Sequence, residues 1–238
     1  MCSRVIALIV MLSMLPGATA QEAGAEGRKS DTIATTPENF ATVLATARPG
    51  DTLLLADGVY RGDFLLRSSG AEGDWVELRA AGAKAVINAS GFQRGLWLDG
   101  VSWVKIKGVH FINASEFGLL VAQSSHVEVL DCTFTHNVRG LQVIGSREVL
   151  VANCDVSEST GTWALGIRNV CSNLVVRGNR VHDNQGGGII AASSLNQPEV
   201  GGVPVSDIVF ENNLIYRNGA ENTSYVKRFR TPKFILNR

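Results

Sequence analysis

The feature that most constrains this chain is an internal repeat of 22 to 25 residues. A short apolar motif recurs at residues 95, 118, 140, 165 and 188, so its starts lie 23, 22, 25 and 23 residues apart. Two further short apolar segments follow each copy, beginning with Val104 and His110 in the first complete repeat. Three short strands per repeat are typical of a solenoid, in which each coil contacts only its neighbours.

Equivalent positions of successive repeats predict stacked interior columns. One column is Phe111, Phe134, Val156, Val181 and Ile215, and another is Val104, Val127, Val149, Leu174 and Ile208. A two-residue turn such as Asn153-Cys154 separates the second strand from the third, and Asn tolerates the left-handed conformation that such a turn needs. A leucine-rich repeat would require a regular Leu/Asn consensus, which is missing. The repeat therefore predicts an all-β fold, a three-sided right-handed parallel β-helix.

The two ends of the chain differ from the repeat. Residues 1–20 combine Arg4, an apolar run and an Ala-Thr-Ala site, which predicts a signal peptide. We expect a flexible leader over 21–35, a β-helix domain over 36–218 and an irregular basic tail over 219–238. The β-helix domain should open with a short capping helix, with Thr36 as its N-cap. The tail is either an atypical cap or the sign of a truncated copy of a longer β-helix.

Composition excludes several classes of protein. With 22 basic and 22 acidic side chains, the chain lacks the positive excess of a nucleic-acid-binding protein. No segment approaches the roughly 20 apolar residues that membrane insertion requires, so the signal peptide predicts a secreted or periplasmic protein. Cys132 and Cys154 are expected one coil apart, where they form either a disulfide or a ladder of small residues.

The segment Pro49-Gly50-Asp51-Thr52-Leu53-Leu54-Leu55-Ala56-Asp57-Gly58-Val59-Tyr60 resembles the opening coil of pectate-lyase-like β-helix proteins. The nearest group is that of the alginate lyases and chondroitinase B, which are polysaccharide lyases. This resemblance implies an exported protein that acts on an acidic polysaccharide, by β-elimination of a uronate-containing polymer. The catalytic Lys and Arg of that group, with their acidic calcium ligands, have no matching set in this chain, so no family residue is carried over.

β-Elimination requires a group that neutralises the uronate carboxylate and a base that removes the neighbouring proton. Arg168 is a candidate carboxylate partner because its guanidinium can bind both oxygens, and His136 or His182 is a candidate base. Glu158 and Asp183, expected one coil apart in one column, are candidate ligands for Ca²⁺. The alternative is that these are ordinary solvated loop residues.

A long ligand would lie along the first strand of each coil. The outward positions there are expected to be Trp97, Leu120, Gln142, Arg168 (if that coil starts at Leu165) and Ile190. Trp97 and Gln142 are therefore candidate substrate-binding residues, with Trp97 either stacking on a sugar ring or lying under a loop. Leu120 and Ile190 weaken the case for a polar groove, and the insertion 193–206 could cover part of this face. The alternative function is a non-catalytic carbohydrate-binding or surface β-helix.

Overall fold

The structure is a computed structural model that describes residues 30–192 and 205–219, together with the backbone of 225–227. Within these ranges the strands form three parallel sheets, and the chain passes from sheet 1 to sheet 2 to sheet 3 in each coil. The prediction of a three-sided right-handed parallel β-helix is confirmed, with about seven coils.

The strands of each sheet share one side of the solenoid. In the described part of the chain, sheet 1 contains β4 (Phe64–Leu66), β7 (Arg94–Asp99), β10 (Phe117–Ala122), β13 (Arg139–Ile144), β16 (Trp163–Arg168), β19 (Gly187–Ala192) and β22 (Tyr225–Lys227). Sheet 2 contains β1 (Thr32–Thr35), β2 (Thr52–Leu55), β5 (Val76–Ala80), β8 (Ser102–Lys107), β11 (Ser125–Leu130), β14 (Arg147–Ala152), β17 (Ser172–Arg177) and β20 (Ser206–Glu211). Sheet 3 contains β3 (Gly58–Arg61), β6 (Ala85–Asn88), β9 (His110–Ile112), β12 (Thr133–Thr135), β15 (Asp155–Ser157), β18 (Arg180–His182) and β21 (Leu214–Tyr216).

The core consists of the inward side chains of all three sheets. In sheet 3, Phe111 pairs in register with Phe134, and Phe134 with Val156, so the predicted interior column is confirmed. The rings of Phe111 and Phe134 stack with centroids 5.0 Å apart, close to the spacing of neighbouring strands. The predicted column that starts at Val104 is confirmed in sheet 2, where Val104 pairs with Val127. Burial of these columns stabilises each coil against the next.

The two-residue turns between sheets 2 and 3 hold a polar ladder inside the solenoid. The first turn residue is left-handed in successive coils, with φ of 54° at Asp131 and 55° at Asn153. The second turn residue points inward, and the Asn179 amide donates to Oδ1 of Asn213 at 2.9 Å and to the Val151 carbonyl at 3.0 Å. Asn side chains of successive coils therefore hydrogen-bond to one another along the axis of the solenoid.

Cys132 and Cys154 occupy the same ladder position in two earlier coils and are free thiols. The Cys154 thiol lies 3.6 Å from the Val129 carbonyl, the equivalent of the carbonyl that Asn179 reaches. A hydrogen bond with the Cys132 side chain, and then burial, raises the pKa of Cys154 well above its ordinary value. The two cysteines thus form the ladder of small residues, one of the two predicted alternatives.

The N-terminal end of the solenoid is covered by helix α1 (Phe40–Thr46), which confirms the predicted cap. The Phe40 ring packs edge-on against Tyr60 and Phe64 at 5.0 and 4.6 Å. The helix starts later than predicted, because Asn39 is its N-cap and a turn occupies residues 36–39. The expected flexible leader is wrong at its C-terminal end, since Thr32–Thr35 pairs with β2.

The basic tail also departs from its prediction where it is described. Tyr225–Lys227 is a strand that pairs with β19, so the repeat continues beyond residue 218. The predicted signal peptide over residues 1–20 lies outside the described residues, as does most of the insertion 193–206. In 30–192 and 205–219, no helix has the length and apolarity that a membrane crossing requires.

Candidate functional site

The outward face of sheet 1 contains a shallow groove of about 220 Å³. It is lined by Phe117 from β10, by Arg139, Gln142 and Ile144 from β13, and by Arg168 from β16. Three neighbouring coils therefore build one surface, and the parallel register places their side chains side by side. The lining combines two cations and an amide with two apolar side chains.

Gln142 forms the floor of this groove because the next strand has no side chain at the equivalent position. Gln142 pairs in register with Gly166, and a Cβ added at Gly166 would lie 2.5 Å from Oε1 and 2.6 Å from Nε2 of Gln142. The amide therefore lies across the backbone of β16. Gln142 is only 4% exposed, and its Nε2 has no hydrogen-bond partner in the described part of the chain. A buried donor without an acceptor is costly, so this atom suits a ligand oxygen.

Arg139 and Arg168 stand at opposite ends of the groove and are both half-buried. Among the described residues, no carboxylate forms an ion pair with either guanidinium. The Arg139 guanidinium lies over the Phe117 ring, 5.4 Å from its centroid. Most other surface arginines near the sheets are paired, for example Arg94 with Asp63 at 3.1 Å. The groove thus carries positive charge that no acidic side chain in 30–192 or 205–219 neutralises.

Arg168 lies in the groove as predicted, but not at the predicted outward position. Gly166 occupies the column of Trp97, Leu120 and Gln142, while Arg168 pairs with Ile144 two residues further along. The assumed coil start at Leu165 is wrong by one residue, because Leu165 pairs with Leu141 and so follows the glycine position. Both positions face outward, since residues two apart in a strand share a face.

Trp97 lies on the same sheet as Gln142 but two strands away, about 10 Å along the axis. The Arg94 guanidinium covers the Trp97 ring at 4.6 Å from the centroid, and the indole Nε1 is buried with no partner among the residues that the structure describes. Leu120, which lies between them, is only 7% exposed. The structure therefore places Gln142 in the groove and Trp97 beside it.

The two candidate bases are not in the groove. His136 is exposed in the turn before sheet 1 and forms an ion pair with Glu158 at 2.8 Å. His182 ends a strand of sheet 3, with Nε2 3.1 Å from Asp155 and Nδ1 2.6 Å from Asp183. Arg168 lies at the far end of a six-residue strand, about 17 Å from that edge. The structure thus does not bring the three candidate catalytic residues together.

The candidate calcium ligands contact basic side chains instead. Glu158 pairs with His136, and Asp183 accepts hydrogen bonds from Arg217 at 2.6 Å. Arg217, and next His182, lower the pKa of Asp183 from 3.8 to about 2. No group of three or more metal-ligating side chains occurs within the described ranges. This arrangement does not fit a calcium site, and calcium remains a prediction.

Three lining residues of the groove, Phe117, Arg139 and Ile144, were not predicted from the sequence, and neither was Gly166, across which the Gln142 amide lies. Arg139 and Phe117 are the first residues of their strands, and the two residues after each are both buried. The alternation of inward and outward side chains, from which a residue's face is predicted, is therefore interrupted at the start of each strand. The sequence does contain a signal for Gly166, because this position is a glycine while its neighbours in the same outward column, Gln142 and Ile190, have large side chains.

Comparison with known proteins supports this architecture. A family model described as "Right handed beta helix region" matches residues 94–232. No curated protein matches the sequence. Among solved structures, pectate lyase Pel9A superposes with a TM-score of 0.68 at 19% identity, over 82% of this chain and 56% of that chain.

Two further structures show the same fold. The alginate lyase from Paenibacillus sp. str. FPU-7 gives a TM-score of 0.55 at 17% identity, over 80% of each chain. The periplasmic alginate epimerase AlgG gives 0.54 at 14% identity, over 79% of this chain and 54% of that chain. The present chain therefore spans little more than half the length of two of these three proteins.

Proposed function

We propose, from the premise that this chain belongs to the right-handed β-helix family, that it binds an acidic, uronate-containing polysaccharide in the groove on sheet 1. The observation that carries this proposal is the presence of Arg139 and Arg168 in the groove without acidic partners among the described residues. A guanidinium binds a carboxylate through two parallel hydrogen bonds, which a neutral sugar cannot match.

The remaining lining residues support the same ligand class. The unpartnered Nε2 of Gln142 is a donor that a carboxylate or ring oxygen can satisfy. Phe117 and Ile144 offer apolar surface for the C–H face of a sugar ring. The groove therefore presents donors and apolar walls, which suits a ligand rich in acceptors. The names of the similar structures, a pectate lyase, an alginate lyase and an alginate epimerase, point to acidic polysaccharides.

β-Elimination is the second candidate function, and the two unpaired guanidinium groups favour it. Neutralising a uronate carboxylate stabilises the negative charge that develops when the neighbouring C–H loses its proton. Arg139 and Arg168 can supply this neutralisation. The base is not assigned, because neither His136 nor His182 lines the groove.

Binding and cleavage can be tested with the same variants. Titration calorimetry with polygalacturonate and alginate oligosaccharides should show binding that Arg139→Ala and Arg168→Ala each weaken about tenfold or more. Arg79→Ala, an exposed arginine on sheet 2, is the matched control and should bind normally. Equal binding by all three variants would contradict the proposal. Ultraviolet absorbance of an unsaturated uronate product, with and without calcium, separates a lyase from a binding protein.

Export to a compartment that contains such polymers forms part of the proposal. Residues 1–20 carry the expected features of a signal peptide. N-terminal sequencing of the protein recovered from its native compartment should start at Gln21. A protein that retains residues 1–20 would remove export from the proposal.

A further inference from the structure

An aromatic ladder stands on the outer face of sheet 2, separate from the groove. We use the name aromatic ladder for Trp75, Trp103 and His126, which occupy equivalent positions in three successive coils. The Trp103 and His126 rings stack with centroids 3.9 Å apart and an interplanar angle of 16°. Trp75 meets Trp103 edge-on at 5.3 Å. All three side chains are half-buried, so part of each ring contacts solvent.

The backbone at Trp103 is unusual for an indole. Its φ of 58° is left-handed, a conformation that favours Gly, Asn and Asp and is uncommon for a bulky residue. The later coils place Glu148, Asn173 and Asp207 at this position, all with positive φ and all exposed. Polar residues therefore suit this column, and Trp103 is the exception. Strained backbone conformations of this kind cluster at functional sites.

Polar groups surround the rings in an arrangement that suits a sugar. The Lys105 ammonium lies 4.8 Å from the centroid of Trp75 and pairs with Glu128 at 3.0 Å. His126 uses Nε2 to contact Glu148 at 3.1 Å, while its Nδ1 is buried and has no hydrogen-bond partner within 30–192 or 205–219. Aromatic rings next to charged and hydrogen-bonding groups recognise ligands that are apolar on one face and polar at the rim.

The aromatic ladder also borders the groove. Ile144, a wall of the groove, ends β13, and only Gly145, Ser146 and Arg147 separate it from Glu148, the acid that contacts His126. Within this coil the corner between the two faces is short, and Arg147 at its end is exposed.

We propose that the aromatic ladder is a second saccharide-binding surface, which holds another part of the acidic polysaccharide bound in the groove. The proposal rests on the proposed function for the identity of the ligand, but not for the location of the site. Two contacts with one polymer raise its affinity because the second contact is intramolecular once the first has formed.

The test compares variants of the full chain by titration with polygalacturonate and with alginate. Trp75→Ala removes one ring, and Trp103→Asn removes the other while keeping a residue that tolerates the left-handed backbone. Tyr216→Ala is the matched control, because Tyr216 also stacks on a histidine, His182, with centroids 4.8 Å apart, but lies on sheet 3. We expect each Trp variant to bind the polymers about three- to tenfold more weakly, with an unchanged circular dichroism spectrum, and the control to bind normally.

Each outcome has a definite meaning. Trp75→Ala and Trp103→Asn proteins that fold and bind as the parent protein does would overturn the second site. Normal binding by the Arg139→Ala/Arg168→Ala protein, with weaker binding by the Trp variants, would overturn the groove proposal and support the aromatic ladder. Loss of the weak binding that remains in the double Arg variant, on adding Trp103→Asn, would support both. A folded parent protein that binds neither polymer would overturn both.

Discussion

Substitution of Asn179 by Ala tests how much the interior polar ladder stabilises the solenoid. Asn179 is 1% exposed, and its Oδ1 accepts a hydrogen bond from the Cys154 amide at 2.9 Å. Its Nδ2 donates to the Val151 carbonyl at 3.0 Å and to Oδ1 of Asn213 at 2.9 Å. The substitution therefore removes side-chain hydrogen bonds that connect three successive coils, and it leaves the surface of the protein unchanged.

The expected loss follows from these contacts. The Cys154 amide is left buried without its acceptor, which costs about 1–3 kcal/mol. The two lost hydrogen bonds of Nδ2 contribute about 0.5–1.5 kcal/mol each before the remaining groups relax. Since the neighbouring coils can adjust, we expect the free energy of unfolding to fall by about 3 kcal/mol.

Urea denaturation, followed by circular dichroism and by tryptophan fluorescence, measures this loss. The two probes should share one midpoint, and the m-value should match that of the parent protein, so that the midpoint shift reports stability. Asn179→Cys should lose less than Asn179→Ala, because Cys154 already uses a thiol at the equivalent position. Asn153→Gly is the control, since Gly178 occupies its column in the next coil and Asn153 is exposed.

A loss below about 1 kcal/mol for Asn179→Ala would refute the reasoning, because such a value is typical of an exposed side chain. A loss equal to that of Asn153→Gly would refute it as well. In either case the apolar columns and the backbone hydrogen bonds of the three sheets would hold the coils together without a contribution from the Asn side chains.

Three further predictions concern the groove, the charged turn and the thiols. Gly166→Ala should displace the Gln142 amide and weaken oligosaccharide binding in calorimetry several-fold, with an unchanged circular dichroism spectrum; unchanged binding would show that the amide does not contact the ligand. Because the folded-state pKa of Asp183 is lowered from 3.8 to about 2, its stabilising contribution should be full above about pH 4 and lost as the pH falls through 2. Thermal unfolding of the parent protein and of Asp183→Asn across that range checks this, and parallel curves would contradict it. Cys154 and Cys171, whose pKa values are raised, should resist thiol reagents at pH 8 until the protein unfolds, as mass spectrometry of labelled peptides can show.

The fold could be predicted because the same spacing of apolar residues recurs in every coil. Phe111 and Phe134 had to stack if the spacing was 23 residues, and the structure pairs them in register. The left-handed turns could be predicted equally well, since Asp and Asn are the residue types that favour this conformation and they occur at positions 131 and 153. In both cases a local signal and the global architecture agree.

The candidate site was less predictable, because a shift of one residue changes which face a side chain occupies. In the coil of β16, Ala164 stands where the neighbouring coils have glycine, and this substitution obscured the register that places Gly166 beside Gln142. Arg139 was missed because two consecutive buried residues follow it. The repeat spacing did not show that the His182 ring contacts Asp155 and Asp183, and the role of His182 as a base stays a prediction.

The two arginines of the groove, Arg139 and Arg168, which have no acidic partner among the described residues, come from adjacent strands. The distance between their charges can therefore change only in steps of one strand spacing. Arg139 belongs to β13 and Arg168 to β16, which are direct neighbours in sheet 1. Duplicating one coil between them would move the two charges apart by one strand spacing, about 4.8 Å, while every interior column would gain one more member. In a solenoid of this kind, recognition of a longer or shorter segment of polymer changes in whole steps, through gain or loss of coils, without redesign of any single contact.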